Sequence, residues 1–150
     1  METKTVEKTL VAKHSFTTTL SEIMSGKLTQ PQKLMGEVAK QGFDVYVPHI
    51  WSYIGCDGQL EKTFTLEMCI PVNKKGENTD FITFEELPEI KSVGCTHKGG
   101  YCNLGDSYCK LFKEIEKEGI KPSGNCREVY LHCDMNKPEN NVTEIQVEII

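Results

Sequence analysis

The segment CREVYLHCD, Cys126 to Asp134, sets a carboxylate two positions from a tyrosine in a run where branched and aromatic residues alternate with polar ones. Such alternation predicts a β-strand, whose successive side chains point to opposite faces. Glu128, Tyr130 and His132 then share one face, and Val129, Leu131 and Cys133 the other. A carboxylate beside an aromatic ring can hold a cation. Each ring face attracts positive charge by ~0.5–2 kcal/mol, and a partly desolvated carboxylate adds direct charge pairing. On a solvated face the same glutamate is a surface acid paired with a lysine across strands, and the strand by itself leaves both readings open.

Other groups able to do chemistry are less organised. Glu67 and Glu144 occupy matching places in two alternating stretches, LEM and TEI, but that alternation fits a solvated face, so they are not read as a catalytic pair. His97 in THKGGY is read as a hydrogen-bonded structural residue, and His132 as solvent-exposed near its strand's end. The 7 cysteines include no C-x-x-C pair, which argues against a disulfide framework and against a zinc site, and no metal or cofactor is expected. Most are expected to be buried thiols, with Cys102 and Cys109 the candidates for exposure.

The elements that must position Glu128 recur twice. In the second half a β-rich segment, EIKSVGCTHKGGY, precedes a helix over Asn103–Gly119, in which Leu104, Tyr108, Leu111, Phe112 and Ile115 form one apolar stripe. Asn103 is placed to cap that helix and Gly119 to end it. The strand around Glu128 and a final strand, VTEIQVEII, follow. The first half repeats the order: TLVAKHSFTTTL as strand, QPQKLMGEVAKQG as helix with Leu34, Met35, Val38 and Ala39 inward, then HIWSYIGCD and KTFTLEMCIPV as strands. Laying Cys56-Asp57 on Cys133-Asp134 puts Tyr53 on Tyr130 and Trp51 on Glu128.

This predicts an α+β fold of tandem strand-helix-strand-strand units forming an antiparallel sheet with two helices and a central groove. One domain spans residues 1–150, with repeat one at about 8–72, a charged connector at 73–80 and repeat two at 81–150. A single helix covers one face of each half-sheet. Val129 and Leu131 are expected on the covered face. Trp51, Tyr53, Glu128 and Tyr130 are expected on the opposite one, where two halves related by an approximate two-fold would meet around a shared groove.

Composition narrows the partners. Net charge is −5 and no dense cluster of Lys and Arg occurs, so direct nucleic-acid binding is not expected, while cationic small molecules suit the balance. No apolar run approaches the ~18 residues of a membrane span, and the charged start METKTVEKTL lacks the apolar core of a secretory signal, which together predict a cytoplasmic protein without membrane association.

The stretch from THKGGY through the amphipathic helix, REVYLHCD and VTEIQVEI resembles the second repeat of the GyrI-like (gyrase-inhibitor-like) small-molecule-binding domain, which also forms the effector-binding part of AraC-type and MerR-type regulators. The resemblance implies a duplicated fold whose groove binds hydrophobic, often cationic, compounds. It implies that Glu128 is the ligand-facing carboxylate and that Tyr101, of the Gly-x-Tyr turn, lies near the pocket. Gly100 stands where the family usually has proline. The functional expectation is a stand-alone effector-binding protein that senses or sequesters amphipathic cations, with a separate regulator or DNA gyrase as possible partners. Two alternatives follow from the resemblance: a hydrolase of strained cyclopropane-bearing toxins that uses Glu128, and inhibition of gyrase.

Overall fold

The computed structural model describes residues 1–150. In chain order the elements are β1 (Glu2–Val6), β2 (Thr9–Thr18), a short α1 (Leu20–Met24), α2 (Gln30–Lys40), β3 (His49–Ile54), β4 (Phe64–Pro71), β5 (Thr83–Leu87), β6 (Ile90–Lys98), α3 (Leu104–Lys117), β7 (Pro122–His132) and β8 (Val142–Ile149). All strands join one sheet in the order β1-β6-β8-β7-β3-β4-β2-β5, with antiparallel neighbours throughout. The fold is therefore α+β, as the repeating pattern predicts.

The register shows the duplication directly. Trp51 on β3 lies across from Glu128 on β7, with His49 across from Tyr130 and Tyr53 across from Cys126. Trp51 pairs on its other side with Met68 of β4, and Glu128 pairs with Ile145 of β8. The shift along the chain that carries Trp51 to Glu128 thus also carries Met68 to Ile145 and Tyr53 to Tyr130. An approximate two-fold passes through the Trp51–Glu128 pair at the centre of the sheet.

The outer strands are exchanged between the halves. β1 precedes β2 in the chain but pairs with β6, and β5 precedes β6 but pairs with β2. Strand β5, inside the second repeat by sequence, therefore completes the first half of the sheet. Only Pro88 and Glu89 join β5 to β6, so Leu87 and Ile90 are at most ~11 Å apart. In a flat sheet strands six places apart would be separated by ~29 Å. The sheet must curl until its edges approach. The link between them crosses behind the central strands, where the Pro88 carbonyl accepts a hydrogen bond from Arg127 of β7 at 2.9 Å.

Both long helices cover the same face. In α2, Leu34 and Val38 are buried against Tyr53, Leu66, Met68 and Ile70, and in α3, Leu111 and Ile115 are buried against Val93, Ile145 and Val147. This corrects the assignment of faces. The helices lie on the side of Tyr53, Glu128 and Tyr130, not on the side of Val129 and Leu131, and Leu131 is 49% exposed. Alternation separates two faces without saying which is covered. Here the more polar one is, because tyrosine hydroxyls satisfy its carboxylate. The other face holds a small cluster of Val11, Cys69 and Leu87 packed with Ile50.

Helix ends follow local rules in part. Pro31 sits in the first turn of α2, and Gly42 and Gly119 stop α2 and α3 in the left-handed region, at φ 87° and 69°. Asn103 makes no side-chain cap, because Tyr101–Asn103 form a 3-10 turn that leads into α3. No helix is long and apolar enough to cross a membrane.

Candidate functional site

The two central strands carry the polar and aromatic side chains that the helices cover. β7 presents Glu128 and Tyr130 on one face, and β3 presents Trp51 beside Glu128 and Tyr53 one step along. From above, α3 contributes Tyr108, a member of its apolar stripe.

Three phenols converge on one carboxylate. Tyr53 and Tyr130 donate to Glu128 Oε1 at 3.1 and 2.7 Å, and Tyr108 donates to Oε2 at 2.6 Å. Glu128 is 4% exposed and enters no salt bridge. Burial pushes its pKa above the ordinary 4.5, against the pull of the three phenols that donate to it. Burial first, and then the adjacent carboxylate, holds the phenols of Tyr53, Tyr108 and Tyr130 well above their usual range, so they remain donors.

Two further rings complete the site. Trp51 meets Tyr130 edge to face with centroids 5.5 Å apart, and Tyr101 does the same at 5.8 Å. Tyr101 arrives from the turn after β6. His97, 6% exposed, fixes that turn: its Nε2 donates to the Gly100 carbonyl at 3.0 Å, which leaves Nδ1 to accept the Ser107 hydroxyl at 2.7 Å. The imidazole thus ties β6, the turn and α3 together, in keeping with its structural reading. Gly100 has φ −65°, an angle proline also adopts, so the turn does not depend on glycine's freedom at that position. Tyr101 is half-exposed, and its hydroxyl points to Cys133 Sγ at 3.2 Å.

The five residues expected to line the ligand site, Glu128, Tyr130, Trp51, Tyr53 and Tyr101, lie together. Glu128, Tyr53 and Tyr130 are hydrogen-bonded together, and Trp51 and Tyr101 meet Tyr130 edge to face. Tyr108 was missed as a site residue. Its helical spacing marked it as packing, and that spacing carries no sign that its hydroxyl ends on a strand carboxylate. Glu67 and Glu144 lie on the opposite face and pair with lysines: Glu67 with Lys13 at 2.8 Å, and Glu144 with Lys4. His132 is exposed at the end of β7, and Cys102, Cys109 and Cys133 are exposed thiols. No group of three His, Cys, Asp or Glu side chains is arranged to hold a metal.

The arrangement is a buried carboxylate, a carrier of negative charge when ionised, in an aromatic enclosure with three phenol donors.

Comparison with known proteins bears on what that charge serves. The family described as "GyrI-like small molecule binding domain" matches residues 1–150. No curated protein sequence matches the chain. Among solved structures, the crystal structure of the EcmrR C-terminal domain is similar with a TM-score of 0.79 and 26% identity, covering 99% of this chain and 96% of that one. EcmrR in its complex with DNA gives a TM-score of 0.80 and 25% identity over 99% of this chain, which spans 56% of that longer protein. The structure of SAV2435 bound to tetraphenylphosphonium has the same fold, with a TM-score of 0.68 and 12% identity over 99% of this chain and 93% of that one.

Proposed function

The chain belongs to the GyrI-like small-molecule-binding family, and on that premise we propose that the aromatic enclosure around Glu128 binds hydrophobic organic cations, as the effector site of a sensing or sequestering protein of the cytoplasm. The observation that carries this reading is a buried carboxylate with three phenol donors and no cationic partner. A desolvated carboxylate gains most from a ligand that restores the lost charge interaction, and ring faces supply that ligand's remaining contacts. The likeness to EcmrR supports a link to transcription regulation through a DNA-binding partner or segment, because this chain's charge of −5 suits no direct grip on phosphates.

Glu128 is buried beneath these rings, so a ligand reaches it only by moving aromatic side chains. The phenol of Tyr108 reaches Glu128 from α3, and an entering ring would displace it or slide past it.

Tetraphenylphosphonium and tetraphenylborate share a shape and differ in charge, so the pair tests the reading directly. At 100 times its dissociation constant the phosphonium should stabilise the fold by ~2.7 kcal/mol, visible as a melting shift, and the borate should give none. Equal shifts from both ions would reduce the site to a hydrophobic pocket without charge selection.

Affinity should also depend on pH, with a sign set by Glu128. Its pKa is raised in the folded protein, so its contribution to stability is fully present below the unfolded value, near 4.5, and is lost as pH rises through the folded value. The ionised form that prevails at higher pH is the strained one, and a bound cation relieves it. Phosphonium affinity should therefore climb several-fold as pH rises from 4.5 through the raised pKa and then level off, with proton release on binding in that window. Calorimetry in two buffers of different ionisation enthalpy reads that release, and a flat profile would disconnect Glu128 from the ligand.

A further inference from the structure

On the face opposite Glu128, its chain neighbour Arg127 occupies a different kind of site. Arg127 lies across from Ser52 of β3 and Gln146 of β8, and only 7% of it is exposed. Its guanidinium makes one hydrogen bond, from Nη2 to the Pro88 carbonyl at 2.9 Å, and no salt bridge. A guanidinium has five N–H donors, and those not used within the protein keep some exposure at the adjoining space, while burial of the group as a whole disfavours its charge. Burial accordingly lowers the Arg127 pKa.

A cavity of about 100 Å³ opens beside it, lined by Arg127, Ser52, Ile54, Glu67, Pro88 and Glu148 among others. One water needs only ~10–15 Å³ by this measure, so the space takes a small organic group. The acids in the wall are unequal. Glu67 is paired with Lys13 at 2.8 Å. Glu148 has no cationic partner: its Oε2 accepts from Ser123 at 2.7 Å and Asn125 at 3.1 Å, and its Oε1 has no hydrogen bond. On the same face, Gln146 Oε1 and Ser92 Oγ are buried without partners.

A simple anion in this space would meet Glu148, and a simple cation would meet Arg127. The walls instead ask for a neutral group that accepts on one side and donates on the other. A carbonyl can take the free guanidinium N–H groups while an adjacent N–H donates to Glu148 Oε1, and Ile54, Pro88 and Ile90 receive a short alkyl tail. We propose that this cavity is a second binding site, separate from the Glu128 enclosure, for a small neutral compound bearing a primary carboxamide or ureido group.

Propionamide, propionate and propylammonium are matched probes. Titrated into the whole chain and followed by proton–nitrogen correlation spectra, propionamide alone should give saturable shifts at the Arg127 Nε–H and the backbone amides of β3. Arg127→Met removes the donor and should weaken the response about tenfold or more. Ile54→Trp, at a site already 36% exposed, fills the entrance without touching the guanidinium and should abolish it even if Arg127→Met does not fold. Glu128→Gln should leave the response intact, which distinguishes this site from the cation enclosure. A stronger saturable response to propionate, no saturation with any probe, or a wild-type response in either blocking variant would overturn the proposal.

Discussion

Glu128→Gln should weaken tetraphenylphosphonium binding by ~1–3 kcal/mol, about five- to 150-fold, while leaving a neutral aromatic ligand nearly unaffected. Glutamine keeps the side chain's shape and one carbonyl oxygen. Two of the three phenol donors converge on a single oxygen, Oε1, at 3.1 and 2.7 Å, so the amide oxygen can occupy that position and retain both. The amide NH2 then faces the Tyr108 hydroxyl in place of Oε2, and that phenol can turn to accept. What disappears is the charge, and with it the reason for a cation to displace the tyrosines. Calorimetry on wild type and variant with both ligand classes separates charge selection from packing. Unchanged phosphonium affinity in a folded variant would mean that the carboxylate serves the tyrosine network and not the ligand.

Gly94→Val should cost ~3 kcal/mol or more and lower the melting temperature by roughly 10 °C, since each kcal/mol is worth ~2–4 °C in a chain of this size. Gly94 lies on β6 between Glu2 of β1 and Gln146 of β8. A Cβ added there would stand 2.1 Å from the Ile145 carbonyl oxygen, which is backbone held in the ladder and cannot rotate away. Alanine already carries that atom, so Gly94→Ala should show most of the loss. The contrast is Gly100, where an added Cβ meets nothing closer than 3.6 Å and φ is −65°. Gly100→Pro should be neutral or stabilising by up to ~1 kcal/mol, by restricting the unfolded chain. Thermal denaturation of the three variants checks both statements, and a Gly94→Ala protein as stable as wild type would contradict the close approach of β6 and β8.

The residues differ in how openly their roles could be read. Leu111 and Ile115 declared their burial by a spacing of four, a property of a single helix that needs no partner to be visible. Glu128 and Tyr130 declared a shared face by a spacing of two. Trp51 and Tyr53 joined them through the internal repeat, and the register of β3 against β7 sets Trp51 directly across from Glu128. Tyr108 was legible only as packing, since its phenol meets Glu128 across a gap that no local pattern encodes. β1 and β5 were hidden for another reason. Each is a short edge strand with exposed polar positions, and each pairs with the repeat it does not precede.

By itself the sequence determined the two long helices, the strands that flank them and their order, because helix and strand periodicities are set by backbone geometry within a few residues. It also determined which acid and which rings share a side. Only the tertiary structure decided that the helices cover that side, that the outer strands exchange, and that Arg127 is left nearly unpartnered behind the sheet. Those outcomes depend on contacts between segments far apart in the chain, on which polar groups find donors when buried, and on the curl forced by two-residue links between strands at opposite edges.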